Sequence, residues 1–197
     1  MQYACRKCRR EGVKLFLKGE KCFSPKCPIT RRPYAPGEHG PSSFTKLSEY
    51  GKQLREKQKV KKIYNLGETQ LKNYYLKAGK KSGDTSENLA RLLEVRLDSI
   101  IYRLGLAASR SMARQMVSHK NFLVNDKNVS IPSFIVSNKD EIRAKENKKI
   151  KVNDKAKLPS WISFDQKKKI IRVRHLPTKE ELELPFDINL VIEYYSR

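Results

Sequence analysis

All four cysteines of the chain fall within its first 27 residues, at Cys5, Cys8, Cys22 and Cys27. Two close pairs, Cys5-x2-Cys8 and Cys22-x4-Cys27, stand thirteen residues apart. That spacing suits four thiolates around one divalent metal. Each pair can wrap a tight turn around one face of the ion. Pro25 helps fix the longer turn, and Gly12 and Gly19 permit the reversals between. No open coordination position is suggested, so the site reads as structural and zinc is the expected metal. The same four ligands serve an iron–sulfur cluster, which spacing leaves open. Disulfides and free buried thiols are the competing readings. No signal-like apolar core opens the chain, so a reducing intracellular setting is expected, which disfavours disulfides. Arg6, Lys7, Arg9, Arg10, Lys21 and Lys26 surround the thiols and are expected to favour thiolate.

Charge narrows the partner class. The chain holds 43 Lys+Arg against 21 Asp+Glu, a net +22. Such a chain attracts polyanions, and nucleic-acid phosphate is the common one. No apolar run nears the ~20 residues a spanning helix needs, so no membrane partner is expected. Residues 1–62 carry 17 Lys+Arg and 5 Asp+Glu, so +12 of the charge lies there. Residues 180–197 reverse the sign, with Glu180, Glu181, Glu183, Asp187 and Glu193 against Arg197. This C-terminus is expected to pack or to face protein.

Pro28, Pro33, Pro36 and Pro41, with Gly37 and Gly40, predict an extended loop over residues 28–45, carrying Arg31, Arg32 and His39. Ser48 caps a helix to about Tyr64, whose Lys52, Arg55, Lys57, Lys59, Lys61 and Lys62 are expected to lie against phosphate. Leu71, Tyr74, Tyr75 and Ala78 form one helical stripe. Thr85 or Ser86 is the expected cap of a helix with Leu89, Leu92, Leu93 and Leu97 inward. Asp98 is the expected cap of a short helix stopped at Gly105. Ser109 opens another helix with Met112, Ala113, Met116 and Val117 on its apolar face and Arg110 and Arg114 on a different face. Residues 122–124, 129–131, 134–136 and 141–144 read as strands, and 161–164 with 170–173 as a hairpin. Residues 145–157 are polar and expected to be mobile. Asp187 caps a last helix bearing Leu190, Val191, Tyr194 and Tyr195. The fold class is α+β: a zinc-stapled basic N-terminal arm, then helices, then a helix-plus-antiparallel-sheet unit, closed by a hairpin and a helix.

Five motifs in order carry a resemblance. They are Cys5 to Gly40, Gln53-Leu-Arg-Glu-Lys-Gln-Lys59, Arg96-Leu-Asp-Ser-Ile-Ile-Tyr-Arg-Leu-Gly105, Ser109-Arg-Ser-Met-Ala-Arg-Gln115 with His119, and Leu190-Val-Ile-Glu-Tyr-Tyr-Ser-Arg197. Together they resemble the zinc-binding form of the bacterial-type small-subunit ribosomal protein four family, across essentially the whole chain. The resemblance implies a primary rRNA-binding protein, acting early in assembly at a junction in the 5′ domain. It implies a place beside the channel through which messenger RNA enters, next to the S-three and S-five protein families, and a part in translational accuracy. It implies a cytoplasmic ribosome, bacterial or organellar. The implied domains are 1–45, an arm; 46–94 completed by 158–197, helical; and 95–157, the RNA-binding module.

Within that module, Arg96, Arg103, Ser109, Arg110, Arg114, His119 and Asn125 match positions assigned to the RNA-facing surface, and Lys120 and Lys127 join them. In the arm, the same role falls to the basic residues around the thiols with Lys14, Lys18, Arg31, Arg32 and His39. On the following helix it falls to Lys52, Arg55, Lys59 and Lys62. Asp126 stands where the family commonly has Gly in an Asn-Gly turn, so a different turn type is expected. Lys120 replaces another common Gly and is expected to add a phosphate contact. Only four residues precede Cys5, fewer than the family usually carries.

Two other functions compete. An RNA-modifying enzyme could carry such a module as an appendage, but no nucleotide-binding glycine loop is present and His39, His119 and His175 are scattered. No enzyme activity and no small-molecule substrate are expected. A zinc-finger regulator would want a recognition helix beside the metal, where Pro28–Pro41 stands instead.

Overall fold

The computed structural model describes residues 3–42, 46–138, 140–145, 159–165, 169–178, 180–182 and 184–197. Its helices are α1 (Tyr3–Glu11), α2 (Glu20–Phe23), α3 (Pro28–Arg31), α4 (Glu49–Tyr64), α5 (Glu68–Gly79), α6 (Thr85–Glu94), α7 (Leu97–Arg103), α8 (Arg110–Ser118) and α9 (Ile188–Tyr195). Its strands are β1 (Phe122–Val124), β2 (Lys127–Asn128), β3 (Glu141–Ala144), β4 (Ile162–Asp165) and β5 (Ile170–Val173). The chain divides into two compact units, Met1–Tyr75 with Leu184–Arg197, and Leu76–Glu183. The expected grouping set 158–197 beside the helices of 46–94. In the structure β5 pairs with β3, which ties that hairpin to the sheet, and only the last helix joins the first unit.

In the first unit, α4 packs on α9. The Tyr50 and Tyr194 rings meet tilted by 31° with centroids 5.8 Å apart, and Gln53 Nε2 donates to Glu193 at 2.9 Å. Ser48 caps α4 by accepting from Gly51 N at 3.2 Å, and Asn65 ends it in the left-handed region at φ 53°. Asp187 caps α9 as the sequence predicts.

Glu68 is the electrostatic centre of this packing. It accepts from Lys57 at 2.9 Å, Lys61 at 2.7 Å and the Tyr195 hydroxyl at 2.8 Å. Partial burial pushes its carboxyl up, but these bonds outweigh that and hold it down at about 2, against an ordinary 4.5. A depressed carboxyl contributes stability that is present above the ordinary value and is lost as pH falls toward the folded one. Urea unfolding of the first unit between about pH 5 and pH 2 should show this loss. Glu68→Gln should flatten that part of the profile; an unchanged acid limb would rule the contribution out.

The second unit is a five-stranded antiparallel sheet in the order β2-β1-β3-β5-β4. The register aligns Val124, Ile142, Ile171 and Phe164 in one row across four strands. Alternation sends that row inward, with Ile142 fully buried and Ile171 1% exposed, and sends Glu141 and Arg172 outward as an ion pair. α7 and α8 cover the inner face. Leu97, Ile100, Ile101, Leu104, Ala113 and Val117 meet Phe122, Trp161 and Val173 in one core. Each large side chain there contributes about 1.5–3 kcal/mol by leaving water.

Several expectations shift. Cys5 and Cys8 sit one turn apart on a helix, not in a tight turn. Part of the expected loop is the four-residue α3, with Pro28 at its first turn, where a missing N–H costs nothing. Asp84 caps α6, accepting from Ser86 N, in place of Thr85 or Ser86. Asp98 lies inside α7. Residues 129–131 and 134–136 form no strand beyond one bridge, Arg96↔Ile135. Carbonyls within 129–136 serve α7 instead: Leu97 N donates to Phe134 O and Asp98 N to Pro132 O. Asn125 and Asp126 have φ 49° and 61°, so the β1–β2 turn keeps positive φ at both central residues despite Asp for Gly. The expected mobile stretch, apart from Lys145, lies outside the described residues, as does the hairpin tip 166–168.

Candidate nucleic-acid interface

The basic residues of the first third divide into two classes. Those of α4 are engaged by carboxylates. Lys52 pairs with Glu49 at 2.6 Å, Lys59 with Glu56 at 2.5 Å, and Arg55 with Glu11 at 3.3 Å, while Lys62 also pairs with Glu11. Lys57, at 5% side-chain exposure, is held by Glu68 and lies 4.1 Å from the centre of the Tyr194 ring. Glu11 is buried at the end of α1, so Arg55 and Lys62 anchor the arm to α4. The cations of the row expected to face phosphate on α4 thus carry carboxylate partners within the protein, and Lys52 with Glu49 stays exposed.

The arm behaves differently. Among the described residues, Arg6, Arg10, Lys14, Lys18, Lys21, Lys26, Arg31 and Arg32 form no ion pair with a carboxylate. Arg6, Arg9, Lys18, Lys21, Lys26, Arg31 and Arg32 line one cavity of about 450 Å³ that has no acidic residue in its wall. Arg9 is fixed there, donating from Nε to Tyr34 O at 3.0 Å and from Nη2 to Ala35 O at 3.2 Å, over the Tyr34 ring. Lys7 lies over the Tyr3 ring at 4.9 Å. His39 is exposed in the loop. Seven cations without a counter-charge make a concentrated positive field suited to closely spaced phosphates.

Of the four cysteines, Cys5 lines this cavity beside the cations. Cys8, Cys22 and Cys27 are buried and Cys5 half-buried. Burial raises the Cys8 thiol, a backbone hydrogen bond at Leu15 offsets part of this, and the charges of Cys22, Cys5 and Cys27 raise it further. The Cys22 thiol is raised too, chiefly by burial, though Lys18 N donates to its Sγ at 3.3 Å. The Lys18 charge pulls the Cys22 thiol down, toward thiolate, but burial outweighs it. The donor set fits a four-thiolate metal in kind and number. Among the described residues, however, no group of three or more His, Cys, Asp or Glu is spaced as a ready cage.

In the second unit the predicted residues scatter between roles. Arg96 is fully buried, with Nε and Nη2 donating to Asp98 at 2.9 and 2.6 Å. It is a core residue and presents nothing to a ligand. Ser109 is spent as the α8 cap, accepting from Met112 N. Asn125 is spent tying the hairpin turn to β3, donating to Asp140 at 2.7 Å and accepting from Glu141 N at 2.9 Å. His119, Lys120 and Lys127 are exposed, with Lys120 at φ 55°. Arg103, Arg110 and Arg114 keep side-chain exposures of 24%, 14% and 37%.

Residues 2–94 match the Ribosomal protein S4/S9 N-terminal domain, and residues 95–142 match the S4 domain. Small ribosomal subunit protein uS4A of Alkaliphilus metalliredigens is 48% identical over 98% of this chain and 96% of its own. Small ribosomal subunit protein uS4 of Caldicellulosiruptor saccharolyticus is 50% identical over the same shares. That of Thermosipho melanesiensis is also 50% identical, again over 98% and 96%. The chain belongs to the ribosomal protein S4 family. The family is a structural one of the ribosome and not an enzyme.

The S4-domain match takes in α7, α8, β1 and β2, and with them Arg103, Arg110, Arg114, His119, Lys120 and Lys127. Carboxylates organise both regions. Sequence reasoning missed Glu11, which carries the arm. For the arginines of the second unit it held a salt bridge to Asp98 or Glu94 as the competing reading, and Glu94, fully buried, accepts from Arg103 and Arg110. Among the described residues no helix is long and apolar enough to cross a membrane.

Proposed function

We propose that this chain is a structural constituent of the small ribosomal subunit, in the cytoplasm, that binds small-subunit rRNA through two cationic surfaces. One is the arm cavity; the other is formed by Arg103, Arg110, Arg114, His119, Lys120 and Lys127. The observation that carries the reading is the arm cavity, seven cations with no carboxylate in the wall. Folded rRNA is recognised largely by shape and backbone, which such a surface suits. The family resemblance adds the finer proposals: binding early in assembly at a junction of the 5′ domain, a place by the messenger channel beside the S-three and S-five families, and a contribution to accuracy.

The same reading assigns Cys5, Cys8, Cys22 and Cys27 to one structural zinc. The metal, when bound, would cross-link an arm too small for its own core. The chain's part is to supply four buried or half-buried sulfurs and the Lys18 N–H to Cys22. Elemental analysis of reduced protein should find one zinc per chain; iron with visible absorption would point to the cluster instead, and no metal would refute both. The chain should co-sediment with the small subunit at moderate salt. Its absence from that particle would overturn the functional reading.

A further inference from the structure

We infer that Glu94 is a positioning residue for RNA binding, presenting Arg103 and Arg110 as one pre-ordered pair of cations; this rests on the RNA-binding reading above. Glu94 closes α6 and its side chain is 0% exposed. Arg103, from the end of α7, grips it with both Nε at 2.8 Å and Nη2 at 2.9 Å. Arg110, from the start of α8, adds Nη2 at 3.2 Å and lies over the Tyr102 ring at 4.4 Å. One buried negative charge therefore organises two positive ones from different helices. Arginine stays charged at any ordinary pH, so Glu94 meets two permanent positive charges. Both side chains remain partly exposed. A carboxylate meant only to satisfy a core would need one cation. Here it fixes two long side chains that would otherwise lose rotamer freedom on meeting phosphate.

The idea has a test in which charge and position predict opposite signs. Glu94→Gln raises the net charge by one. So does Glu87→Gln, on the same helix, where among the described residues Glu87 pairs only with Arg91, at 2.6 Å. Affinity for a full-length small-subunit rRNA transcript is measured with salt slopes, below the melting temperature of each variant. Glu87→Gln should bind as well as wild type or slightly better. Glu94→Gln should bind about tenfold weaker, with a salt slope shallower by about one to two contacts. If Glu94→Gln binds tighter, with a steeper slope, the positioning role is overturned. Should Glu94→Gln not fold, Arg103→Lys decides: it keeps the charge but loses the two-pronged grip. Weaker binding by Arg103→Lys supports the inference, and equal binding overturns it. Wild type that does not bind the transcript at all would overturn the RNA-binding reading itself, a separate result.

Discussion

Affinity for a small-subunit rRNA transcript is expected to fall about a thousand-fold between 50 and 200 mM monovalent salt. The reasoning starts from the arm, whose Arg6, Lys18, Lys21, Lys26, Arg31 and Arg32 share a cavity with no carboxylate. Each phosphate neutralised releases counterions and adds nearly one unit to the slope of log affinity against log salt. About six such contacts give a slope near −5, hence the thousand-fold loss over a fourfold salt change. The structure also says which cations should matter. Replacing Arg6, Lys18, Arg31 and Arg32 together by alanine should reduce the slope by about three to four. Replacing Lys52 and Lys59 should change it by less than about one, because Glu49 and Glu56 already hold them. Equilibrium binding by filter retention or anisotropy measures both slopes. A flat wild-type dependence, or a larger effect from the α4 pair, would reject a charge-driven arm interface.

The difference between arm and α4 explains what the sequence made legible. Net charge is additive and local, so the excess of cations in the first third is visible without a structure. Their partners are not. Arg55 and Lys62 reach Glu11, 44 and 51 residues away, and Lys57 reaches Glu68 across the end of its helix. The same limit applies to Arg96, which reads as an RNA-facing motif residue and is buried against Asp98, and to the bonds of the exposed Asn125 to Asp140 and Glu141 N. Helical stripes were easier: Leu71, Tyr74 and Ala78 are buried as their 3.6-residue period predicts. The short sheet was half legible. Period two located β1 and β3, yet the same apolar alternation over 129–136 produced no ladder, because the N-terminus of α7 takes the carbonyls of Pro132 and Phe134. Local pattern sets a strand's eligibility, and competition for backbone partners decides the outcome.

Arg96→Ala should destabilise the second unit by about 3–5 kcal/mol, the cost of leaving a buried charge without its partner. Arg96 has no exposed surface, and Asp98 is 5% exposed. Removing the guanidinium takes these two hydrogen bonds from Asp98 and, among the described residues, leaves it Arg114 at 4.0 Å. Arg96→Met with Asp98→Leu should cost far less, since an apolar pair of similar volume avoids burying charge at all. Chemical denaturation of the three proteins gives the comparison, and rRNA binding well below the midpoint gives the second reading. A core role predicts a large stability loss with the affinity of folded Arg96→Ala within about threefold of wild type. An RNA-contact role predicts the reverse: stability near wild type and affinity down tenfold or more. The two outcomes separate the position this residue occupies in the sequence motif from the one it occupies in the core.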